Sequence, residues 1–330
     1  MSQTTNVILN PAYPGSGAGR AAIGTRERLA ALAETTKPGI TRLVTITAVV
    51  GFAMVAIGRE GWTFADLLIR SIGVIAGTAI SSSGANALNM WLERDRDGLM
   101  QRTHGRPLPK GTLRPSTVLA AGLGFSVVGV LVLLTMAGPA AALVGLTCVA
   151  VYVLAYTPLK TRTTWNTLVG TVPGALPPII GAAAASGLHG IDAFLTPMGL
   201  ALFGIMTVWQ IPHFLAIAWM YRDDYAAGGY RMLPVVDPSG RKTAGVILLT
   251  SALLLPLSLA PAAVGGGFLS APYVLIASAA GLGFLALGIR FAIRRDRGSA
   301  KALFFGSIMH LPVLLIALVA EGGARAFLGA

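Results

Sequence analysis

From Leu43 onward, long runs without a single charge alternate with short runs crowded with charge, and the uncharged runs can be measured against a lipid bilayer. A helix needs about 20 residues to cross roughly 30 Å of hydrocarbon. In that medium only helices and closed barrels satisfy their own backbone groups. By this measure the chain predicts nine spans, at 40–58, 66–89, 116–136, 139–157, 164–185, 197–220, 244–262, 271–290 and 301–320. Two uncharged runs, 115–159 and 243–289, are too long for one crossing. Each has a helix-breaking centre, Gly138-Pro139 in the first and Pro261 with Gly265-Gly266-Gly267 in the second, so each predicts a hairpin of two helices.

With 54% hydrophobic residues, 41 Gly and only 12% charged residues, the chain has too little polar surface to coat a soluble core. That composition excludes a disordered chain, a nucleic-acid-binding module and a disulfide scaffold. Cys148 stands alone, so no intramolecular disulfide forms. The net charge of +12 is a matter of sidedness: every Lys and Arg except Arg59, Arg70 and Arg325 falls in alternate loops. The positive-inside rule then puts the N-terminus in the cytoplasm and the C-terminus outside. Residues 1–36 have no apolar core of signal-peptide type and read as a flexible cytoplasmic tail. That leaves 37–330 as one all-α transmembrane domain.

The acids are clustered. Glu93, Asp95 and Asp97 follow the second span; Asp223, Asp224 and Asp237 follow the sixth. Four spans separate the clusters, which suggests two four-helix halves plus a ninth helix, a likeness of topology without a residue-level repeat. Asn89, Glu93 and Asp97 are spaced i, i+4, i+8 and lie within about 80° of one another on a helix, over roughly 12 Å, with Asp95 pointing away. Carboxylate and amide oxygens beside Arg102, Arg106 and Lys110 suit Mg²⁺ bridging to a diphosphate. The competing reading is a solvated helix end with local acid-base pairs.

In the second cluster, Gln210, Pro212 and His213 precede Trp219, Tyr221, Asp223 and Asp224. A continuing helix would put His213 and Asp224 on one face about 16 Å apart, the imidazole at membrane depth. An intramembrane ionisable residue points to function, against the alternative of a histidine bonded within the bundle. His310 carries the same choice with the structural side favoured, and His104 and His189 read as loop residues. Lys160 and Arg162 serve either the charge asymmetry or a phosphate. Gly and Pro at high density in the fifth and sixth spans are tolerable where neighbours or a cavity re-satisfy the backbone. An ion-coupled transporter is the alternative of another class, and it predicts acids near the bilayer midplane rather than at one edge.

The run Asn89-Met-Trp-Leu-Glu93-Arg-Asp95-Arg-Asp97-Gly-Leu-Met100-Gln-Arg102-Thr103-His-Gly-Arg106-Pro107-Leu108-Pro109 resembles the first acidic motif of the UbiA-type intramembrane prenyltransferases. Its form is that typical of the protoheme IX farnesyltransferase branch. Thr36-Lys37-Pro38, Tyr156-Thr-Pro-Leu-Lys160, Trp209-Gln210-Ile-Pro212-His213-Phe214, Asp223-Asp224-Tyr225 and Met232-Leu233-Pro234 agree with it, over about residues 36 to 320. Glu93 stands where Asp is commoner and lengthens the arm by one methylene.

The resemblance implies nine helices around a lipid-open cavity, with Mg²⁺ held by Asn89, Glu93 and Asp97 of the first motif and Asp223 and Asp224 of the second. It implies catalytic roles for Glu93, Asp97, Lys160 and Asp224. Lys37, Arg102, Arg106, Lys160 and Arg162 would neutralise the leaving diphosphate, and His213 would face the acceptor. The implied substrates are farnesyl diphosphate and heme B, the product heme O. The implied setting is the bacterial inner membrane in preference to the mitochondrial one. Heme A synthase or cytochrome oxidase assembly proteins are the implied partners, with no nucleic acid. A quinone or chlorin precursor is the alternative acceptor.

Overall fold

The computed structural model describes residues 24–265 and 271–328, and among them there is no strand. Helix α1 (Thr25–Thr35) precedes the spans α2 (Pro38–Ile57) and α3 (Phe64–Asp97). Helix α4 (Pro115–Val132) ends in a π-helical turn, Leu133–Ala137. Helix α5 (Pro139–Ala150) runs through a second π-helical stretch, Val151–Tyr156, into a last α-turn, α6 (Thr157–Leu159). Helices α7 (Asn166–Ala175) and α8 (Pro177–Ser186) are halves of one span. Helix α9 (Pro197–Met220) leads into the short α10 (Arg222–Ala227) and α11 (Leu233–Val236), and α12 (Arg241–Val264), α13 (Ala271–Arg294) and α14 (Arg297–Leu328) complete the bundle.

Among the described residues, nine helical stretches are long and apolar enough to cross a membrane. Their outward faces carry large exposed apolar side chains such as Leu154, Leu275, Ile316 and Phe305, a surface suited to lipid and not to water. The protein is a multi-pass, all-α membrane protein. The first hairpin breaks where the sequence predicts, at Gly138 (φ 107°) before Pro139. The second does not break at Pro261, which stays inside α12 while the helix continues to Val264. The neighbouring helix α13 packs on the turn just before it, where Tyr273 Oη donates to Ser258 O at 2.8 Å. Gly266 and Gly267 lie outside the described residues.

Two further expectations change. The tail expected to be flexible through residue 36 is helical from Thr25, because Ala31 packs into an apolar cluster with Met90, Leu108 and Val118; residues 1–23 lie outside the described residues. Span two does not stop at 89: α3 has 34 residues, about 51 Å at 1.5 Å per residue. The helix is thus far longer than the roughly 30 Å of one crossing, and its last two turns carry Glu93 and Asp97.

Small residues let the spans approach. Gly77, Ser81 and Gly84 of α3 face Gly122, Ser126 and Gly129 of α4, and a methyl group on Gly84 or Gly129 would collide with the backbone of the other helix. The three arginines on the sparsely charged side are accounted for structurally. Arg59 donates to Ala185 O (2.9 Å) and Arg70 to Ala184 O (3.2 Å), closing the carbonyl end of α8. Arg325 pairs with Glu321 at 3.7 Å.

Candidate active site

A cavity of about 700 Å³ runs into the bundle from the end that carries the basic loops. Lys37, Glu93, Asp97, Arg102, Arg106 and Lys160 line its mouth, and its depth is walled mainly by aliphatic and aromatic side chains. One wall, built of Gly170, Pro173, Gly174 and Pro177, follows from the break between α7 and α8. Gln210 of α9 packs beside that break, its amide donating to Thr171 O of α7 (3.4 Å) as well as to Met206 O of its own helix (2.7 Å). This is the neighbour compensation expected for a glycine- and proline-rich span.

The i, i+4, i+8 face of α3 forms as the spacing predicts. Asn89, Glu93 and Asp97 are buried, whereas the Asp95 side chain is 62% exposed beside Arg94. Each of the three side chains meets a cation. Lys37 Nζ donates to Asn89 Oδ1, Lys160 Nζ to Glu93 Oε1 (2.7 Å), and Arg106 Nη1 to Asp97 Oδ1 (2.8 Å) and Oδ2 (2.7 Å). Asn89 Nδ2 in turn donates to Thr157 Oγ1 at 2.9 Å. Glu93 pairs with Lys160 from a distant segment and Asp97 with Arg106 of the following loop, and both carboxylates are buried, so the alternative of a solvated helix end does not describe them.

Local structure delivers the three cations. Lys37 sits in the left-handed region (φ 47°, ψ 67°) immediately before Pro38, a conformation costly for a residue with a side chain. The loop after α3 folds back through Thr103 Oγ1, which donates to Asp97 O (2.9 Å), and so returns Arg106 to Asp97. The π-helical stretch brings Tyr152 and Tyr156 to the same cavity wall, ring centroids 5.5 Å apart, with Lys160 Nζ 4.6 Å from the Tyr156 ring. Such stretches recur at functional sites.

Burial, reinforced by repulsion from Arg106 and Lys160, lowers the Lys37 pKa to about 7. Burial opposes the charge on Lys160 too, yet Glu93 and then Tyr156 hold that ammonium well above its ordinary value. Burial likewise works against Arg106, and Asp97 outweighs it. The mouth thus holds Lys37, Arg102, Arg106 and Lys160 against Glu93 and Asp97, an excess of positive charge suited to a polyanion.

The second acidic segment departs from expectation. Helix α9 ends at Met220 because Tyr221 (φ −118°, ψ 28°) leaves the helical region, and α10 starts afresh at Arg222. The continuous helix from His213 to Asp224 therefore does not form. Asp224 turns to the first motif, accepting from Gln101 N and Arg102 N at 3.2 Å each. Arg102 lies over the rings of Tyr221 (5.3 Å) and Tyr225 (5.4 Å) and donates to Tyr225 Oη (3.2 Å). Asp223 is fully exposed, 3.8 Å from Arg222, and neither it nor the exposed Arg162 lines the cavity.

His213 lines the cavity between Trp209 and Phe304, ring centroids 5.0 and 5.2 Å away, both stacked. Its Nδ1 is 2.7 Å from Ser307 Oγ, which donates its one proton to Phe304 O. That assigns Nδ1–H to the imidazole and leaves Nε2 as an acceptor. His310 is buried away from the cavity against Phe284, and His104 and His189 are exposed loop residues, all as expected. Sequence reasoning gives no site role to Asn86, Tyr152, Tyr225 and Tyr230, which stand on the cavity wall, and Tyr225 enters that reasoning only within the Asp223-Asp224-Tyr225 likeness. Only Asn86, an amide one turn before Asn89 inside an apolar span, carries a signal of its own; it donates to Thr36 O and Thr41 Oγ1 at 3.2 Å each.

Mg²⁺ asks for hard oxygen donors, one or two carboxylates and the phosphate oxygens of the substrate. The Glu93 and Asp97 carboxylates, which line the cavity, fit that requirement; the Asn89 amide lies behind the lining with its Oδ1 accepting from Lys37. Among the described residues no three His, Cys, Asp or Glu side chains converge as a cage, so the donor set suits a metal that arrives with a diphosphate.

The sequence profile of the UbiA prenyltransferase family matches residues 44–311. This chain belongs to the UbiA prenyltransferase family. It is 42% identical over 285 residues to the protoheme IX farnesyltransferase of Solibacter usitatus, covering 85% of this chain and 94% of that one. A structure of digeranylgeranylglyceryl phosphate synthase superposes with a TM-score of 0.71 at 13% identity, covering 90% of this chain and 99% of that one. A UbiA homologue from Archaeoglobus fulgidus bound to DMAPP and Mg²⁺ gives 0.51 at 14% identity, covering 84% and 98%. These two likenesses establish the UbiA fold, and the family makes the protein a membrane prenyltransferase.

Proposed function

We propose that this UbiA-family protein transfers the farnesyl group of farnesyl diphosphate to a vinyl group of protoheme IX (heme B), with addition of water, to give heme O. One observation carries the reading: the buried Asn89, Glu93 and Asp97 face meets Lys37, Lys160 and Arg106 at the mouth of a mainly apolar cavity. The choice of acceptor is supported by the identity to a relative named protoheme IX farnesyltransferase.

Glu93 and Asp97, with Asn89 on the same helix face, would hold Mg²⁺; a UbiA homologue of the same fold from A. fulgidus is bound to DMAPP and Mg²⁺. The metal supplies Lewis-acid neutralisation of charge on the departing diphosphate. Lys37, Arg102, Arg106 and Lys160 bind the diphosphate oxygens as the C1–O bond breaks heterolytically, with the bonding pair leaving on oxygen. Fixed charges aimed at such developing charge usually contribute more to catalysis than any other single effect. Asp224 acts at one remove by fixing the backbone that carries Arg102.

The allylic cation then forms a C–C bond to the vinyl terminus, and water captures the resulting cation and loses a proton. The Tyr152 and Tyr156 rings offer π faces to the cationic stage. The apolar walls restrict water. His213, on the cavity wall with Nε2 as an acceptor, would face the heme. The membrane is the bacterial inner membrane, with the basic loops and the N-terminus cytoplasmic and the C-terminus outside. Heme A synthase or oxidase assembly proteins are the partners that would take up the product.

Purified protein supplied with Mg²⁺, farnesyl diphosphate and heme B, a quinone precursor or a chlorin precursor in parallel tests the reading by mass spectrometry. The hydroxyethylfarnesyl adduct of heme B alone is expected. Prenylation of the quinone or chlorin precursor with heme B untouched would overturn the choice of acceptor.

A further inference from the structure

The segment after the second acidic motif brings to the cavity two phenols, Tyr225 and Tyr230, in place of carboxylates. The Tyr225 hydroxyl is already engaged by Arg102. Tyr230 is different: the residue is 3% exposed, and its hydroxyl is buried with no hydrogen-bond partner in the protein. A buried hydroxyl without a partner costs stability that a phenylalanine would not, so packing alone does not explain the oxygen.

Its placement is held from both sides by residues of the site. Arg96 Nη1 donates to Gly228 O (2.9 Å), and Gly229 turns the chain at φ +69°. Tyr230 N then donates to Tyr225 O (2.8 Å), and Arg231 N donates to the Lys160 carbonyl (2.7 Å). The ring lies 5.9 Å from Lys160 Nζ and packs edge-on against Tyr225. A methyl group on Gly228 would press on the ring at 3.1 Å, so the side chain has little room to turn away.

We propose that the Tyr230 hydroxyl is a substrate-binding residue that donates a hydrogen bond to an oxygen of the prenyl diphosphate seated among Lys37, Arg106 and Lys160. The proposal rests on the prenyl-transfer reading above. An anion arriving at this mouth provides the acceptor that the protein itself does not supply, and a protonated phenol offers only one proton to give. Burial, and Glu93 after it, raise the phenol pKa, so the donor form is the one present.

The test compares the full-length wild type with Tyr230→Phe and with Tyr273→Phe as a matched control, since the Tyr273 hydroxyl is bonded to Ser258 O away from the cavity. Binding of inorganic pyrophosphate with Mg²⁺ is followed by calorimetry, alongside thermal unfolding and the KM for farnesyl diphosphate. Tyr230→Phe should unfold no earlier than wild type, bind pyrophosphate roughly tenfold more weakly and raise KM by a similar factor with kcat less affected. Tyr273→Phe should unfold earlier and bind pyrophosphate as wild type does. Unchanged pyrophosphate binding in Tyr230→Phe, its failure to fold, or an equal binding loss in Tyr273→Phe would each overturn the proposal. If wild type itself shows no Mg²⁺-dependent pyrophosphate binding, the prenyl-transfer reading fails first.

Discussion

Lys37 shows at a single residue how the site trades stability for chemistry. Its left-handed backbone costs about 1–3 kcal/mol, and burial opposes its charge. Lys37→Gly should therefore unfold at or above the wild-type temperature while KM for farnesyl diphosphate rises about tenfold or more; thermal scans with steady-state kinetics check both. Asp97 is the converse, a buried carboxylate paired with Arg106. Asp97→Asn keeps its volume and should lose turnover by about a hundredfold, with folded protein still recovered in detergent. Chelation should abolish turnover reversibly. Asn89, Glu93 and Asp97 were legible because four-residue spacing on one helix is local geometry. The placements of Asp224 and Tyr230 were not, since the first depends on backbone donors more than a hundred residues away and the second on a buried hydroxyl without a partner. His213 separates from His310 only in three dimensions, where one lines the cavity and the other packs on Phe284. His213→Ala should weaken heme binding and alter the spectrum of bound heme, whereas His310→Ala should lower thermal stability with that spectrum unchanged.

Element lengths and breaks explain which spans were readable. Charge-free runs located the nine candidate spans found among the described residues, and Gly138-Pro139 marked a real turn. The ends were harder. Helix α3 continues to Asp97 because its last turns are covered by α1 and the loop through Leu108 and Leu113, a shelter that no local rule for span length contains. Pro261 failed as a breaker because packed helices absorb it, while Tyr221, with no breaker residue beside it, ended α9. The α3–α4 contact depends on alternating small residues rather than on hydrophobicity. Gly129→Leu should wedge the pair apart and destabilise the protein by about 1–3 kcal/mol or prevent folding. Thermal unfolding and folded yield in detergent would report it.

Across the whole molecule, charge sidedness and chemistry coincide. The loops that hold most of the basic residues also bring Lys37, Arg106 and Lys160 to the mouth of the cavity, while Arg59 and Arg70 at the opposite end cap helix α8. Topology reporters fused after Lys110, Lys160, Arg241 and Arg297 should all read cytoplasmic, and a signal from the other side at any of them would contradict the orientation. The buried carboxylates Glu93 and Asp97 lie at that one edge, each paired with a cation at the cavity mouth, which favours a reaction at the mouth over an ion path through the midplane. The most direct measurement is a structure of the full-length protein with Mg²⁺ and a slowly reacting farnesyl thiodiphosphate. The diphosphate should lie in contact with Lys37, Arg106 and Lys160, the metal against Glu93 and Asp97, and the farnesyl chain inside the cavity. A diphosphate bound at the opposite end of the bundle, or a metal held away from Glu93 and Asp97, would contradict the account.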